Sequence, residues 1–275
     1  MSFPILQKYL ARLSDATGAA TSIWLDHEGK AQGRFFNCTM SSAFQPIRQA
    51  DSGAVHAYEG LARSVSAQDQ GLSLWKLLDH AASDDESIEL DRLCRMLHSI
   101  NFFRQADSAP SAHADLYLNV HDRLLSAVSS NHGHAFRRIL DALELPVERV
   151  VLQLPAATPQ QGWLLNYVSD NYRRNGFRFA VNVAGARDGL HVLGRLRPDV
   201  LKLDARDLQD QAALLELLQR CAADKVTLVF KRLETPQQLT ALRQLGDTAG
   251  VSLLVQGYLL DEPRAALLEP ARRAA

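Results

Sequence analysis

Residues 197–232 read RPDVLKLDARDLQDQAALLELLQRCAADKVTLVFKR. An apolar run at 199–204 is followed by an amphipathic stretch at 207–222 and a second apolar run at 226–232, the order strand, helix, strand. The helix opens after a polar start. Two strands joined through such a helix lie parallel in one sheet, because a parallel pair needs a crossover of a dozen or more residues.

The same alternation extends outward from Ala43 to about residue 262. Strands are expected at 43–48, 54–62, 115–120, 149–154, 177–183, 199–204, 226–232 and 252–259, eight in all. Helices are expected between them, among others at 86–104, 159–174, 207–222 and 236–245, the last after a proline-containing start. Such a sheet either closes into a barrel or stays open and doubly wound. A second pattern favours closure. Nearly every strand carries one polar residue at its C-terminal end after an apolar run: Glu59, Asn119, Gln153, Asn182, Lys202, Lys231 and Gln256. Contact with water would explain any one of them, whereas a barrel gathers all of them at one mouth, where such folds place their sites. At 275 residues the chain has the length of one barrel, which takes about 250.

Ahead of the barrel, Ile5, Leu6, Tyr9, Leu10 and Leu13 fall at helical spacing within 3–14, and His27-Glu28-Gly29-Lys30 reads as a hairpin turn. The expected organisation is an extension over 1–40, a barrel over 41–265 and a tail over 266–275.

Hydrophobic residues make up 47% of the chain and charged residues 22%, a balance that buries a large core. A net charge of −1 gives no general attraction to a nucleic-acid polymer or an anionic membrane, so an anionic ligand would need a local arrangement of side chains. Cys38, Cys94 and Cys221 are odd in number and lack metal-ligand spacing, which suits reduced, buried thiols. No apolar run approaches the ~20 residues of a membrane span, and the N-terminus lacks the pattern of a signal peptide. The expectation is a soluble, cytoplasmic protein without a membrane partner.

The segments AFQPIRQADSGAVHAYEGLAR, LYLNV, RFAVNVAG, RPDVLKLD and VQGYLLDEP, in this order and spacing, resemble EAL domains, the phosphodiesterases that linearise cyclic di-GMP. The resemblance covers about residues 40–265. It implies an α/β fold, a modified (β/α)8 TIM barrel whose first strand runs antiparallel to its neighbours, with divalent metals at the mouth. Cations of the Mg²⁺ or Mn²⁺ type take hard oxygen ligands, and a metal pair generates hydroxide while neutralising the phosphate.

Carried over residue by residue, the motif glutamate falls on Glu59 and the metal-contacting asparagine on Asn119. The glutamate of the family's LEITES strand falls on Gln153, and the glutamate of the following loop on Ala156. The paired aspartates of DDFG fall on Asn182 and Val183, and the glutamate of AEGVE on Lys231. Among Glu59, Gln153, Asn182, Val183 and Lys231 only Glu59 offers an anionic oxygen, and Lys231 would repel a divalent cation by several kcal/mol even at an effective dielectric near ~20. The resemblance therefore implies a dismantled metal site: no metal, no cofactor and no hydrolysis.

Gln45, Glu59, Leu61, Arg63, Asn119, Lys202, Asp204, Glu234 and Gln256 match family positions at or behind the substrate and are the candidate ligand-binding residues. Arg63 suits bidentate pairing with a phosphate. Lys202, which orients the attacking water in active relatives, is expected here as an ion-pair partner of Asp204 or Glu59. Lys231 is expected to stand in for the metal, close to Glu59 or Asp204. The histidines of SAVSSNHGH, residues 126–134, read as part of a loop at a helix end, and AGARDGL replaces the loop after DDFG. That replacement weakens dimerisation by the family's usual face, so a homodimer stays open. The resulting expectation is a regulator in cyclic di-GMP signalling, either a metal-independent receptor or an adaptor for a protein partner. A residual phosphodiesterase is the rival reading.

Overall fold

Alternation with period two sends every second strand residue to one side of a sheet, and here it fills the inside of a closed barrel. The computed structural model describes residues 5–9, 11, 23–36, 38–65, 83–106, 113–121, 131–155 and 162–268. Ten strands form one sheet: β1 (Ile23–Leu25), β2 (Ala31–Phe35), β3 (Cys38–Gln49), β4 (Val55–Val65), β5 (Asp115–Asn119), β6 (Val150–Leu154), β7 (Arg178–Asn182), β8 (Val200–Asp204), β9 (Thr227–Lys231) and β10 (Leu254–Val255). Their order is β1-β2-β3-β10-β9-β8-β7-β6-β5-β4, and the additional pairing of β3 with β4 closes the last eight into a barrel. β3 is antiparallel to both β4 and β10, while β4 to β10 pair in parallel, the expected modified barrel.

All eight expected barrel strands are found. The last is the exception in length: β10 ends at Val255, and the following residues turn while Gln256 and Leu259 stay bonded to the backbone of Phe230 and Leu233. The expected hairpin forms as β1 and β2, and β2 continues the sheet by pairing antiparallel with the start of β3. Of the expected N-terminal helix, residues 5–9 are helical, and Leu6 packs into the core.

Besides the helical residues 5–9, six α-helices among the described residues lie outside the strands: α1 (Asp84–Gln105), α2 (His132–Ala142), α3 (Gly162–Arg174), α4 (Ala186–Leu196), α5 (Gln211–Asp224) and α6 (Pro236–Ala249). Their starts follow capping chemistry. Ser83 with Glu86 closes a capping box on α1, and Thr235 with Gln238 does the same on α6, where proline takes the first turn. Two helices correct the loop readings of the sequence. His132 and His134 lie in the first turn of α2 behind the Asn131 cap, and most of AGARDGL is the first turn of α4. Residues 126–130 of the first of these segments lie outside the described residues. Cys94 and Cys221 are buried as expected, but Cys38, near the rim at the start of β3, is half-exposed.

The barrel interior is a separate apolar layer of Ile47, Ala57, Tyr117, Val151, Ala180, Val200, Val229 and Leu254, one residue from each strand. The larger core lies between barrel and helices, where Phe44, Tyr58, Phe102 and Phe103 pack ring against ring.

The first and last motifs meet across β3. Gln45 donates to the Asp261 carbonyl (2.9 Å), and Arg48 grips the Asp261 carboxylate through Nε and Nη2 (2.6 and 2.9 Å). Gly257 is required by space: a Cβ there would lie 2.1 Å from the carbonyl oxygen and 2.3 Å from the nitrogen of Leu233. Gly257→Ala should therefore cost about 2–3 kcal/mol or more in urea unfolding, since backbone must move. Gly194→Ala, on an exposed turn of α4 with nothing within 4 Å, should stabilise by about 0.5–1 kcal/mol. Equal effects of the two would contradict the packing described.

Candidate functional site

The mouth is built by moving two residues along each strand from the apolar layer. Ala57 leads to Glu59, Tyr117 to Asn119, Val151 to Gln153, Ala180 to Asn182, Val200 to Lys202, Val229 to Lys231 and Leu254 to Gln256; on antiparallel β3, Ile47 leads back to Gln45. The same step that keeps a side chain on the inner face carries it from apolar packing to the C-terminal mouth.

Lys202 organises this layer. Its side chain is 2% exposed, and its ammonium donates to Glu59 Oε2 (2.7 Å), Gln153 Oε1 (2.6 Å) and Gln256 Oε1 (3.1 Å). Three donors meet three acceptors on three strand ends, and the ammonium lies 5.7 Å from the centre of the Tyr117 ring. In the ring of eight strands β8 faces β4, so the Lys202–Glu59 pair spans the barrel. Glu59 also accepts from Asn119 Nδ2 (2.8 Å) and Gln256 Nε2 (2.9 Å). Gln256 Nε2 reaches Gln45 Oε1 (3.1 Å), and Gln153 Nε2 reaches Asn119 Oδ1 (3.3 Å). Burial by itself would raise the Glu59 carboxyl. The Lys202 charge and the hydrogen bonds from Lys202, Asn119 and Gln256 outweigh it and hold the group at about 2.

Lys231 does not pair as the sequence reading expects. Glu59 is taken by Lys202, and Asp204 by Arg206 (2.7 Å) and Arg232 (3.2 Å). Lys231 donates instead to Asn182 Oδ1 (2.6 Å), whose Nδ2 is anchored on the Leu154 carbonyl (2.9 Å). The reason is reach: Lys202 extends across the axis to Glu59, while Arg206 closes back on Asp204 two positions away. Burial, then the neighbouring charges of Lys202 and Arg232, lower the Lys231 ammonium, with Glu59 and Asp204 opposing them.

The other expected residues are less connected. Leu61 and Arg63 continue the inner face of β4 beyond Glu59, opposite Ala43 and Ser41 of β3. Arg63 is exposed and bonds the adjacent Ala62 carbonyl (2.9 Å). Glu234 is exposed before α6, outside the Lys202 network. Val183 is buried and offers no ligand. Ala156 lies outside the described residues.

Sequence reasoning missed two features. Arg206 and Arg232 form the rim around Asp204; the Asp-x-Arg spacing on β8 was the available signal for the first. Behind β4, the buried His98 of α1 bonds Ser42 Oγ through Nδ1 (2.8 Å), and a Cβ on Gly60 would lie 3.0 Å from the His98 side chain. The glycine of EGL thus makes room for a helix histidine, which no local pattern announces. Burial and then the Arg63 charge hold His98 down at about 3, so it is neutral at ordinary pH.

These donors do not fit a divalent cation. Both oxygens of Glu59 already accept from N–H groups, Asp204 is clasped by two guanidiniums, and the amide oxygens of Gln153 and Asn182 point at ammonium groups. Among the described residues no cluster of three or more His, Cys, Asp or Glu side chains is arranged for a metal.

A sequence model of the EAL domain matches residues 29–263. No curated protein sequence matches the chain. Among solved structures, Klebsiella pneumoniae BlrP1 in a manganese and cyclic di-GMP complex superposes with a TM-score of 0.68 at 22% identity, over 83% of this chain and 57% of BlrP1. BlrP1 is also known with FMN and cyclic di-GMP without metal ions, at a TM-score of 0.61, 20% identity, and coverage of 83% of this chain and 54% of BlrP1. Bacillus subtilis YkuI, a protein with an EAL domain in complex with substrate c-di-GMP and calcium, gives 0.66 at 24% identity, over 84% of this chain and 56% of YkuI. A standalone EAL protein of Vibrio cholerae, c-di-GMP bound, gives 0.65 at 18% identity, over 85% of this chain and 96% of that one. The chain thus spans little more than half the length of BlrP1 and YkuI, and at these identities the likeness concerns the fold.

The network makes two predictions. Lys202→Met leaves Glu59 as a buried, unpaired carboxylate and should cost about 3–5 kcal/mol in urea unfolding, part of which the added change Glu59→Gln restores; a double variant no better than the single would refute the pairing. Acid should also destabilise the protein in two steps. Glu59 (about 2 folded against 4.5) and His98 (about 3 folded against 6.5) both hold protons less readily when folded. The unfolded chain therefore gains protons first, and stability falls with pH below about 6.5 through His98 and below about 4.5 through Glu59. His98→Gln should flatten the upper step in unfolding free energies measured against pH.

Proposed function

We propose that this chain, which belongs to the EAL domain family, is a catalytically inactive receptor that binds cyclic di-GMP without a metal ion. The observation that carries the reading is the Lys202 ammonium, whose three donors go to Glu59, Gln153 and Gln256. The place where a hydrolase needs anionic oxygens free for a cation is here balanced internally by a lysine. Activation of water by a metal pair has no ligand set to stand on.

Binding has separate support. Arg63 is exposed on the inner face of β4 with its guanidinium bonded to the Ala62 carbonyl, so charge-assisted contacts to a phosphate are available to it. The relative BlrP1, at 20% identity, is known with cyclic di-GMP and no metal ions, a precedent for occupancy without a cation. No helix among the described residues is long and apolar enough to cross a membrane, and the free cysteines suit the reducing cytoplasm in which we place the protein.

The purified protein should show no hydrolysis of cyclic di-GMP above the blank in Mg²⁺ or Mn²⁺, and Gln153→Glu should not rescue it. Calorimetry in chelator should show cyclic di-GMP binding that Arg63→Ala weakens by about 1.5–3 kcal/mol. Turnover that follows the protein through purification and vanishes in Glu59→Ala would establish a phosphodiesterase instead. No binding at high micromolar ligand would move the reading to an adaptor acting through a protein partner.

A further inference from the structure

Among the described residues, the charges of the mouth balance on one side and not on the other. Glu59 is matched by Lys202, and Asp261 by Arg48. On the side of β8 and β9, Asp204 pairs with two guanidiniums, Arg206 and Arg232, and no second carboxylate among the described residues lies within ion-pair distance of either of them or of Lys231. The exposed Glu234 acts on Arg206 only from a distance. Lys231 lies within ion-pair distance of no carboxylate among the described residues, and its single recorded hydrogen bond, to Asn182, leaves two ammonium donors. Among the described residues Arg232 commits one of its five N–H groups, to Asp204.

The backbone reinforces the point. Arg232 has φ of +60°, the left-handed region, which for a side chain other than glycine costs on the order of 1 kcal/mol or more. Its neighbours hold it there. The Lys231 carbonyl accepts from Ala205 (2.7 Å), Leu233 donates to the Gln256 carbonyl (3.0 Å), and Leu259 donates to the Leu233 carbonyl (3.0 Å). Gly257 presses against Leu233 from the other side. A strained arginine fixed next to an unmatched lysine at a barrel mouth is an arrangement that an anion would complete.

We propose that Lys231 and Arg232 form a cradle for one phosphate of a phosphodiester ligand, supplying with two side chains the positive charge that a divalent cation supplies in a metal-dependent mouth. The inference rests on the receptor reading for the identity of the ligand. The cradle itself is specified by chemistry alone: an ammonium and a guanidinium with uncommitted donors, next to the amide of Asn182.

The test titrates cyclic di-GMP and, separately, inorganic pyrophosphate into the full chain in chelator, comparing wild type with Lys231→Met and Arg232→Gly. Glycine suits the left-handed backbone, so Arg232→Gly should leave the melting temperature unchanged or raise it while weakening binding, a combination that a merely structural arginine would not give. Lys231→Met should weaken cyclic di-GMP binding at least tenfold with the fold intact by circular dichroism. Cyclic di-GMP binding equal in wild type and Lys231→Met would overturn the cradle and leave the receptor reading standing. Pyrophosphate binding that depends on Lys231, without any binding of cyclic di-GMP, would keep the cradle and remove the receptor reading. Wild type that binds neither anion at millimolar concentration would overturn the cradle.

Discussion

An ammonium group at 2% exposure inside a barrel is costly to desolvate, by several kcal/mol, and is tolerated only where its donors are all used and a counter-charge is near. Lys202 meets both conditions through strands that do not neighbour β8: Glu59 on β4, Gln153 on β6 and Gln256 at the end of β10. The pair with Glu59 acts across the barrel, so opposite walls are joined by charge at the mouth just as the Ile47 to Leu254 layer joins them by packing below. Removing the ammonium would free three acceptors at once, one of them charged. The rest of the mouth depends on that site being filled.

Gln153 fits this arrangement in a way glutamate would not. As an amide it accepts from Lys202 with its oxygen and donates to Asn119 with its nitrogen, and it leaves Glu59 as the one counter-charge of the ammonium. A second carboxylate there would give the centre a net negative charge within hydrogen-bond distance, the condition under which one carboxyl takes up a proton or a cation enters. Lys231 works in the same direction, because its charge next to Asn182 would oppose any cation drawn in from the β9 side. The amide at Gln153 and the ammonium at Lys231 thus act in one electrostatic direction, toward a mouth whose charge is balanced by its own side chains.

The eight barrel strands were legible as short apolar runs alternating with amphipathic helices, and in seven of them a polar residue at the C-terminal end marked the mouth. The two helices whose first turns read as loop show where such reading stops. α2 begins with His132, Gly133 and His134, and α4 contains Gly189 and Gly194, which locally read as loop. Both glycines inside the packing are there for space. A Cβ on Gly133 would lie 2.5 Å from Asn171 Oδ1, and one on Gly189 would lie 3.0 Å from Leu217. Tertiary packing, invisible to a local window, chose those residues. The partner of Lys231 was misread for a related reason. Sequence places Lys231 beside Asp204 on adjacent strands, and the register agrees, but which side chain takes a carboxylate depends on reach, and Arg206 and Lys202 arrive first.

What the chain keeps of the family pattern and what it lacks fall into different physical classes. The segments QPI, EGL and QGY hold the shape of the mouth: Gln45 ties β3 to Asp261, Gly60 admits His98, and Gly257 packs against the Leu233 backbone. At the positions where the family resemblance implies anionic donors, the sequence has Gln153, Asn182, Val183 and Lys231. Had the mouth simply fallen out of use, the cheapest change at Arg232 would be glycine, which relieves the left-handed backbone, and the cheapest at Lys231 would be a residue that needs no desolvation. Both positions instead hold cations at an energetic cost, next to a backbone braced by Gln256, Leu259 and Ala205. A mouth held in shape by Gln45, Gly60 and Gly257 that also carries constrained positive side chains at Lys231 and Arg232 is the physical basis on which an anionic occupant is proposed for it.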